Sequence, residues 1–472
     1  MATSLAPVTV IGAGLAGCEL SFQLAEAGAR VTLCEQKPER RTPAQVSPYF
    51  GELVCSNSLR SSNPHNAVGL LKEEMGQLGS LVIEAAHRTR VPAGDALAVD
   101  RERFAGMLHE RMHAHPNIEV RPGGIDAVPA ASEGTVVLAT GPMTADALAQ
   151  SLARLTDQSS LYFYDAIAPI VAGDSIDRSV AFAASRWDKG DGADYLNCPL
   201  DKDQYEALVD LLLTADAYPA HAFEEAKYFP GCQPVEVIAQ SGREALRFGP
   251  LKPVGLTDPR TGAWPHAVVQ LRKEDRDGQA FNLVGLQTKL RHGAQKELLR
   301  RIPGLAGAEV LRFGALHRNT YVDAPAVLDE ALALRAAPHV HLAGQITGVE
   351  GYVESAACGL LLARLLEQRH HGVCRPPPAS TALGALYAHV RGSCRLPGRP
   401  HEPQNVHWGL FAPVPSGGEG RPRRRSKADH KAERVTIARA AFAEWLPLAM
   451  GCGAVTGSVH AAAPRPRTRA SA

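Results

Sequence analysis

At 472 residues the chain is long enough for two or three domains, each with a core of its own. Lys+Arg at 50 against Asp+Glu at 49 leaves a formal net charge of +1, so overall charge selects neither nucleic acid nor a membrane surface as partner. No run approaches the ~18 apolar residues of a membrane helix, and Met1 to Pro7 lacks the basic start of an export signal, which predicts a cytoplasmic protein off the membrane.

The first predicted elements carry the strongest signal. Val8, Val10 and Ile11 form a short β-rich run that ends in Gly12-Ala13-Gly14-Leu15-Ala16-Gly17, a G-x-G-x-x-G turn. Helical spacing follows at Leu15, Leu20, Phe22 and Leu24, and a second apolar run, Val31 to Leu33, stops at Glu35. A pyrophosphate reaches a helix N-terminus only where no Cβ blocks the backbone, and the N–H groups and dipole there favour an anion. An acid at the end of the second strand is placed for a ribose hydroxyl. The plain alternative is a glycine-rich turn with Glu35 as a solvated strand end; strand, helix, strand and acid in one register favour a bound dinucleotide.

Tyr49 to Arg60, rich in Ser, Asn and Arg around Cys55, reads as a polar site loop, and a helical pattern resumes at Val68, Leu70, Leu71, Met75 and Leu78. Thr89 to Gly124 reads as strand, helix (Arg101 to His115) and strand. Thr135 to Gly141 is a buried strand running into Thr-Gly. From about Ala166 the texture changes to short β-like runs and polar loops, which predicts an inserted α+β domain over 166–312 between two parts of a Rossmann-like α/β domain, 1–165 and 313–450. Strand, glycine turn and helix return at Val340 to Tyr352, including Gly344 and Gln345, with a long helix from Val353 to Arg369. Helical patterns follow at Thr381 to Arg391 and Ala428 to Trp445, around a basic loop, Pro415 to Lys427; residues 451–472 hold too little apolar content to fold.

Nine cysteines, an odd count with no C-x-x-C spacing, argue against a zinc site and a disulfide framework; free thiols are expected, and no metal. A cysteine is by default a small buried hydrophobe, and Cys18, Cys34 and Cys358 lie in contexts that suit packing. Cys198 is open between the two. Cys55 and Cys232 lie instead in polar, Gly/Pro-flanked loops.

Four separated motifs, GAGLAGCE, ELVCSNSLRS, Phe229 to Leu256 (FPGCQPVEVIAQSGREALRFGPLKPVGL) and GQITGVEGYVESAACGLLLA, together resemble the bacterial folate- and flavin-dependent tRNA uridine 5-methyltransferases, the TrmFO family. YLNCPL and STALGAL add to the match, which runs from about Val8 to about Met450 and leaves the tail without a counterpart. The resemblance implies a GidA-related FAD-binding fold and tRNA as the partner. It also implies methylenetetrahydrofolate as carbon donor and NADPH or NADH as reductant, giving 5-methyluridine in the T loop. It implies Gly12, Ala13, Gly14, Leu15, Ala16, Gly17 and Glu35 at the FAD, with Gly344, Gln345 and Tyr352 at its flavin end. Cys232 would attack carbon 6 of uracil, and Cys55 would act as acid/base or shield the flavin adduct; the reverse assignment stays open. Arg243, Arg247 and Lys252 would lower a thiol pKa or hold phosphate. Lys289, Arg291, Lys296, Arg300 and Arg301 form a second basic cluster at near-helical spacing.

Two rivals remain at this level. GidA itself, also called MnmG, modifies the wobble uridine but has a GGGHAG-type turn, an SCNPAIGG-type loop and a C-terminal extension that this length cannot hold. A flavin- and tRNA-binding chaperone without chemistry is the other.

Overall fold

The computed structural model describes residues 5–42, 44–157, 161–190, 193–218, 233–394, 400–414 and 426–450. Strand β1 (Val8–Ile11), helix α1 (Leu15–Glu26) and strand β2 (Val31–Glu35) open the chain. β1 pairs in parallel with β2 on one side and with Thr135–Leu138 on the other. The six-stranded sheet runs, in spatial order, Ala333–Leu334, Ala337–Leu342, Thr135–Leu138, β1, β2, Ile118–Pro122. Only the short Ala333–Leu334 strand is antiparallel to its neighbour. Connections leave β1 in opposite directions, so a crevice opens at its carboxyl end, where an α/β sheet binds its ligands. Near-continuous apolar strands such as Val136, Val137 and Leu138, all fully buried, fit a sheet covered on both faces.

α1 crosses the long helix Tyr352–His370 at contact distance because the facing residues are small. A Cβ on Gly359 would stand 2.3 Å from the Ala16 carbonyl oxygen, so the crossing tolerates only glycine there. The helix Lys427–Met450 continues past Trp445 and through Pro447, farther than its pattern predicted. Phe442, Trp445 and Ala449 are buried in the core of the parallel sheet, and the Trp445 indole donates to the Arg375 carbonyl at 2.8 Å. That burial outweighs the break a proline introduces.

A second six-stranded sheet, wholly antiparallel, runs Phe182–Ala183, Tyr195–Leu200, Ala267–Lys273, Ala280–Val284, Ile170–Ala172, Val310–Arg312. Helix Lys202–Thr214, started by an Asp201/Gln204 capping box, and helix His292–Arg301 cover one face with Leu208, Leu212, Leu298 and Leu299. Leu161–Ala166 and Leu316–Tyr321, antiparallel, form the ribbon between the two sheets. The stretch after Cys55 is more ordered than a loop reading predicts. Ser58–Ser61 pairs with Ala96–Val99, which pairs with Arg90–Val91.

Candidate active site

The cleft at the carboxyl end of β1 is lined by Gly12, Gly14, Leu15, Ala16, Glu35, Gln345 and Tyr352, among others. α1 begins at Gly14 with no side chain capping it and no acid in its first turn, so its positive end faces the cleft. A Cβ built on Gly14 would meet no protein atom within 4 Å. The volume is open on the side from which a pyrophosphate would approach. Gly17 differs: its Cβ would lie 1.8 Å from the Gly12 carbonyl oxygen, so this glycine closes the turn. Gly344 likewise packs on the Ala16 side chain, at 2.7 Å from a Cβ position.

Glu35 is buried at the cleft's edge. Its Oε2 accepts from the Ala13 N–H at 2.7 Å and its Oε1 from the Lys37 N–H at 3.0 Å. The acid is thus aligned by the glycine turn itself, with lone pairs left for a ribose hydroxyl. A bare apolar cleft would have no use for an uncapped helix, an open Gly14 and an aligned carboxylate together; these residues fit a dinucleotide such as FAD.

Tyr352 begins the long helix at the cleft's far end, and its hydroxyl accepts from the Cys55 N–H at 2.6 Å and the Ser56 N–H at 3.1 Å. Burial pushes the phenol pKa up, so it stays neutral. One residue therefore ties the cysteine loop to the second glycine turn. Arg60 pairs with Glu354, two residues further along that helix. Behind the loop, Asn57 donates to the Val99 carbonyl at 2.8 Å and the Lys273 carbonyl at 2.8 Å, and accepts from Arg272 Nε at 2.8 Å. Arg101 donates to the Leu53 carbonyl and pairs with Glu274. Burial pushes the Glu350 carboxyl, hydrogen-bonded by Gln345 at 2.5 Å, well above the usual carboxylate range.

Cys232 lies outside the described residues. Of the basic residues near it in sequence, Arg243 pairs with Glu206 and Asp210, and Arg247 with Glu244 and the His266 carbonyl. Cys18, Cys198 and Cys358 are buried, and burial pushes their thiols up, as packing cysteines require. Arg101 and Arg272 were not legible as site residues, since Arg272 comes from the second sheet and nothing local marks either.

Comparison with known proteins agrees with this geometry. The family described as Glucose inhibited division protein A matches residues 7–373. A methylenetetrahydrofolate–tRNA-(uracil-5-)-methyltransferase TrmFO from Anaeromyxobacter dehalogenans (strain 2CP-C) is 57% identical over 444 residues, 94% of this chain and 97% of the relative. The chain belongs to the TrmFO family. A TrmFO from Geobacter sulfurreducens is 54% identical over 91% of this chain and 96% of its own length. GidA of Aquifex aeolicus, in a solved structure, shares the fold at a TM-score of 0.62 with 15% identity, covering 92% of this chain and 74% of that one. Identities above half with TrmFO proteins favour the uridine 5-methyltransferase reading over GidA's.

Proposed function

We propose that this protein forms 5-methyluridine in the tRNA T loop, taking the carbon from methylenetetrahydrofolate. FAD, when bound, supplies the redox chemistry that turns the one-carbon unit into a methyl group, with NADPH or NADH as electron source. The observation that supports the reading is the Tyr352 hydroxyl accepting from Cys55 and Ser56, because it ties the cysteine loop to the end of the cleft where the flavin would lie.

Each residue has a part. Gly14 and the first turn of α1 receive the pyrophosphate, Glu35 the ribose, and Gln345 with Tyr352 borders the flavin. Cys232 as thiolate adds at carbon 6 of uracil, which makes carbon 5 nucleophilic toward a one-carbon electrophile; loss of the carbon 5 proton then expels the thiolate. Cys55 is its partner at the same centre. A base in a folded T loop must be flipped out to reach such a cleft. Lys296 and Arg300, without ion pairs among the described residues, give the helix His292–Arg301 a face for phosphates, beside the stacked His292 and Phe313 rings. The thiol chemistry suits a reducing cytoplasm.

Cys232→Ala should retain FAD yet transfer no label from methylenetetrahydrofolate to unmodified tRNA. Wild type should become covalently attached to tRNA carrying 5-fluorouridine, since fluorine does not leave carbon 5 as a proton does. An active variant, or label arriving from S-adenosylmethionine, overturns the reading.

A further inference from the structure

Three aromatic side chains stand in water on the antiparallel-sheet part of the molecule. Phe248 at 72% and Trp187 at 62% are the most exposed large apolar residues among those described, and Trp264, 50% exposed, meets Trp187 with ring centroids 6.0 Å apart and planes at 84°. Arg247 Nε donates to the His266 carbonyl at 2.9 Å and the Val268 N–H to the Leu251 carbonyl at 3.0 Å, so the segment carrying Phe248 runs beside the one carrying Trp264.

The exposure of Trp187 is enforced by the backbone. Trp187 and Asp188 are consecutive non-glycine residues at φ +57° and +51°, a conformation that bulky L-residues avoid. It is held by the Trp187 N–H, which donates to the Gly255 carbonyl at 3.1 Å, and by Arg186, which donates to the Val254 carbonyl at 2.7 Å, the Lys252 carbonyl at 2.5 Å and Gln270 at 3.0 Å. Gly255 makes room for the ring: a Cβ there would stand 2.7 Å from Trp187 Cε2. Local strain of this kind, over-determined by its neighbours, collects at ligand contacts.

The residues around the rings select the ligand. Asp188, Lys189, Lys252, Thr257, Arg260 and Thr261 are all exposed, whereas a protein-binding patch has an apolar core and keeps charge at its rim. Separate aromatic rings set among cations are how proteins stack unpaired bases and meet the phosphates between them. Lys252 makes no ion pair among the described residues; Arg247, 5.7 Å over the Phe248 ring, pairs with Glu244, and Arg260 pairs with Asp258. The tryptophan loop is also tied toward the cysteine loop. Lys189 pairs with Asp95, Asp194 accepts from the Gly94 N–H at 2.5 Å, and strand Ala96–Val99 beside them pairs with Ser58–Ser61, just after Cys55. We propose that Trp187 and Trp264 stack an unpaired base of the substrate RNA other than the target uridine, with Lys252 at its backbone phosphate.

This rests on tRNA as the substrate, so binding and turnover are measured apart. Holoenzyme variants are compared for retention of unmodified tRNA on filters and for KM and kcat in label transfer from methylenetetrahydrofolate. Trp187→Leu and Trp264→Leu, which keep apolar bulk and remove the aromatic face, should each weaken tRNA binding about tenfold and raise KM for tRNA in proportion, with kcat unchanged. Trp187→Tyr should recover most of the loss. The Leu losses should persist as salt is raised, whereas the smaller loss in Lys252→Gln should fade. Should Trp187→Leu fold poorly, Trp264→Leu, at a residue without a positive φ, carries the test. Leu variants that bind tRNA like wild type overturn the stacking site, and so does a dimer-to-monomer shift in sedimentation at unchanged tRNA binding, which would make a second copy of this chain the occupant. A wild type that methylates no tRNA, yet binds a T-arm stem-loop more weakly once the tryptophans are replaced, would instead overturn the functional reading and leave the stacking site standing.

Discussion

Gly14 and Gly17 share one turn, yet removing each should have a different consequence. A side chain on Gly14 meets open cleft, so Gly14→Val should fold and melt like wild type while purifying without flavin absorbance. A side chain on Gly17 meets the Gly12 carbonyl at 1.8 Å, so Gly17→Ala should lose stability together with FAD. Flavin absorbance and a thermal melt on the same samples separate the two. A fully yellow Gly14→Val protein would remove the pyrophosphate from this turn.

At the scale of elements, the second glycine turn is clamped from outside by two histidines. His389, on helix Ala382–Val390, shares its Nε2 proton with the Gly348 carbonyl at 2.9 Å, and His401 does the same with the Thr347 carbonyl at 3.0 Å. Their rings stack at 4.8 Å. Burial, and after it the neighbouring His401, pushes His389 down from 6.5 to about 4. The folded protein thus keeps His389 neutral where the unfolded chain would protonate it. Its contribution is present above pH 6.5 and is lost as pH falls toward 4, by up to roughly 3 kcal/mol. Urea midpoints should fall between pH 7 and pH 5, and His389→Gln, which can still donate to Gly348, should fall less over the same interval. Equal losses in both proteins would show that another group sets the acid limit.

Buried glutamates do comparable work between elements. Glu19 accepts from the Ser80 hydroxyl and the Leu81 and Val82 N–H groups, and Glu74 from the Ala382 and Leu383 N–H groups. Each carboxyl group satisfies N–H groups at the N-terminus of a helix far away in sequence.

Across the whole molecule, the antiparallel sheet and the parallel sheet meet behind the cysteine loop through polar contacts. The Arg101–Glu274 pair joins the helix Arg101–Ala114 to the second sheet, and both side chains are nearly buried. Glu274→Gln would leave Arg101 as a buried charge without its counterion, at a cost of roughly 3 to 5 kcal/mol. Unfolding in urea should shift accordingly, and Arg101→Met combined with Glu274→Gln should recover much of the loss. A single variant as stable as wild type would mean that the pair does not hold the two sheets together.

The sequence alone determined β1, the glycine turn, α1 and β2 with Glu35, because strand and helix periods and the need for missing Cβ atoms are written in neighbouring residues. It also marked the cysteine loop, the return of the sheet, begun at Val340 where the strand starts three residues earlier at Ala337, and the long helix after Tyr352 to within a residue at each end. Tertiary structure decided the rest. The need for a missing Cβ at Gly17 is set by the Gly12 carbonyl that folds over it, and Ser58–Ser61 became a strand because Ala96–Val99 offers it hydrogen bonds. Helix Lys427–Met450 passed its proline because Trp445 and Ala449 found a core to enter. Arg272 reached Asn57, in the cysteine loop, from a strand of another sheet, and a buried charge carries no local pattern: its meaning depends on which distant groups the fold sets beside it.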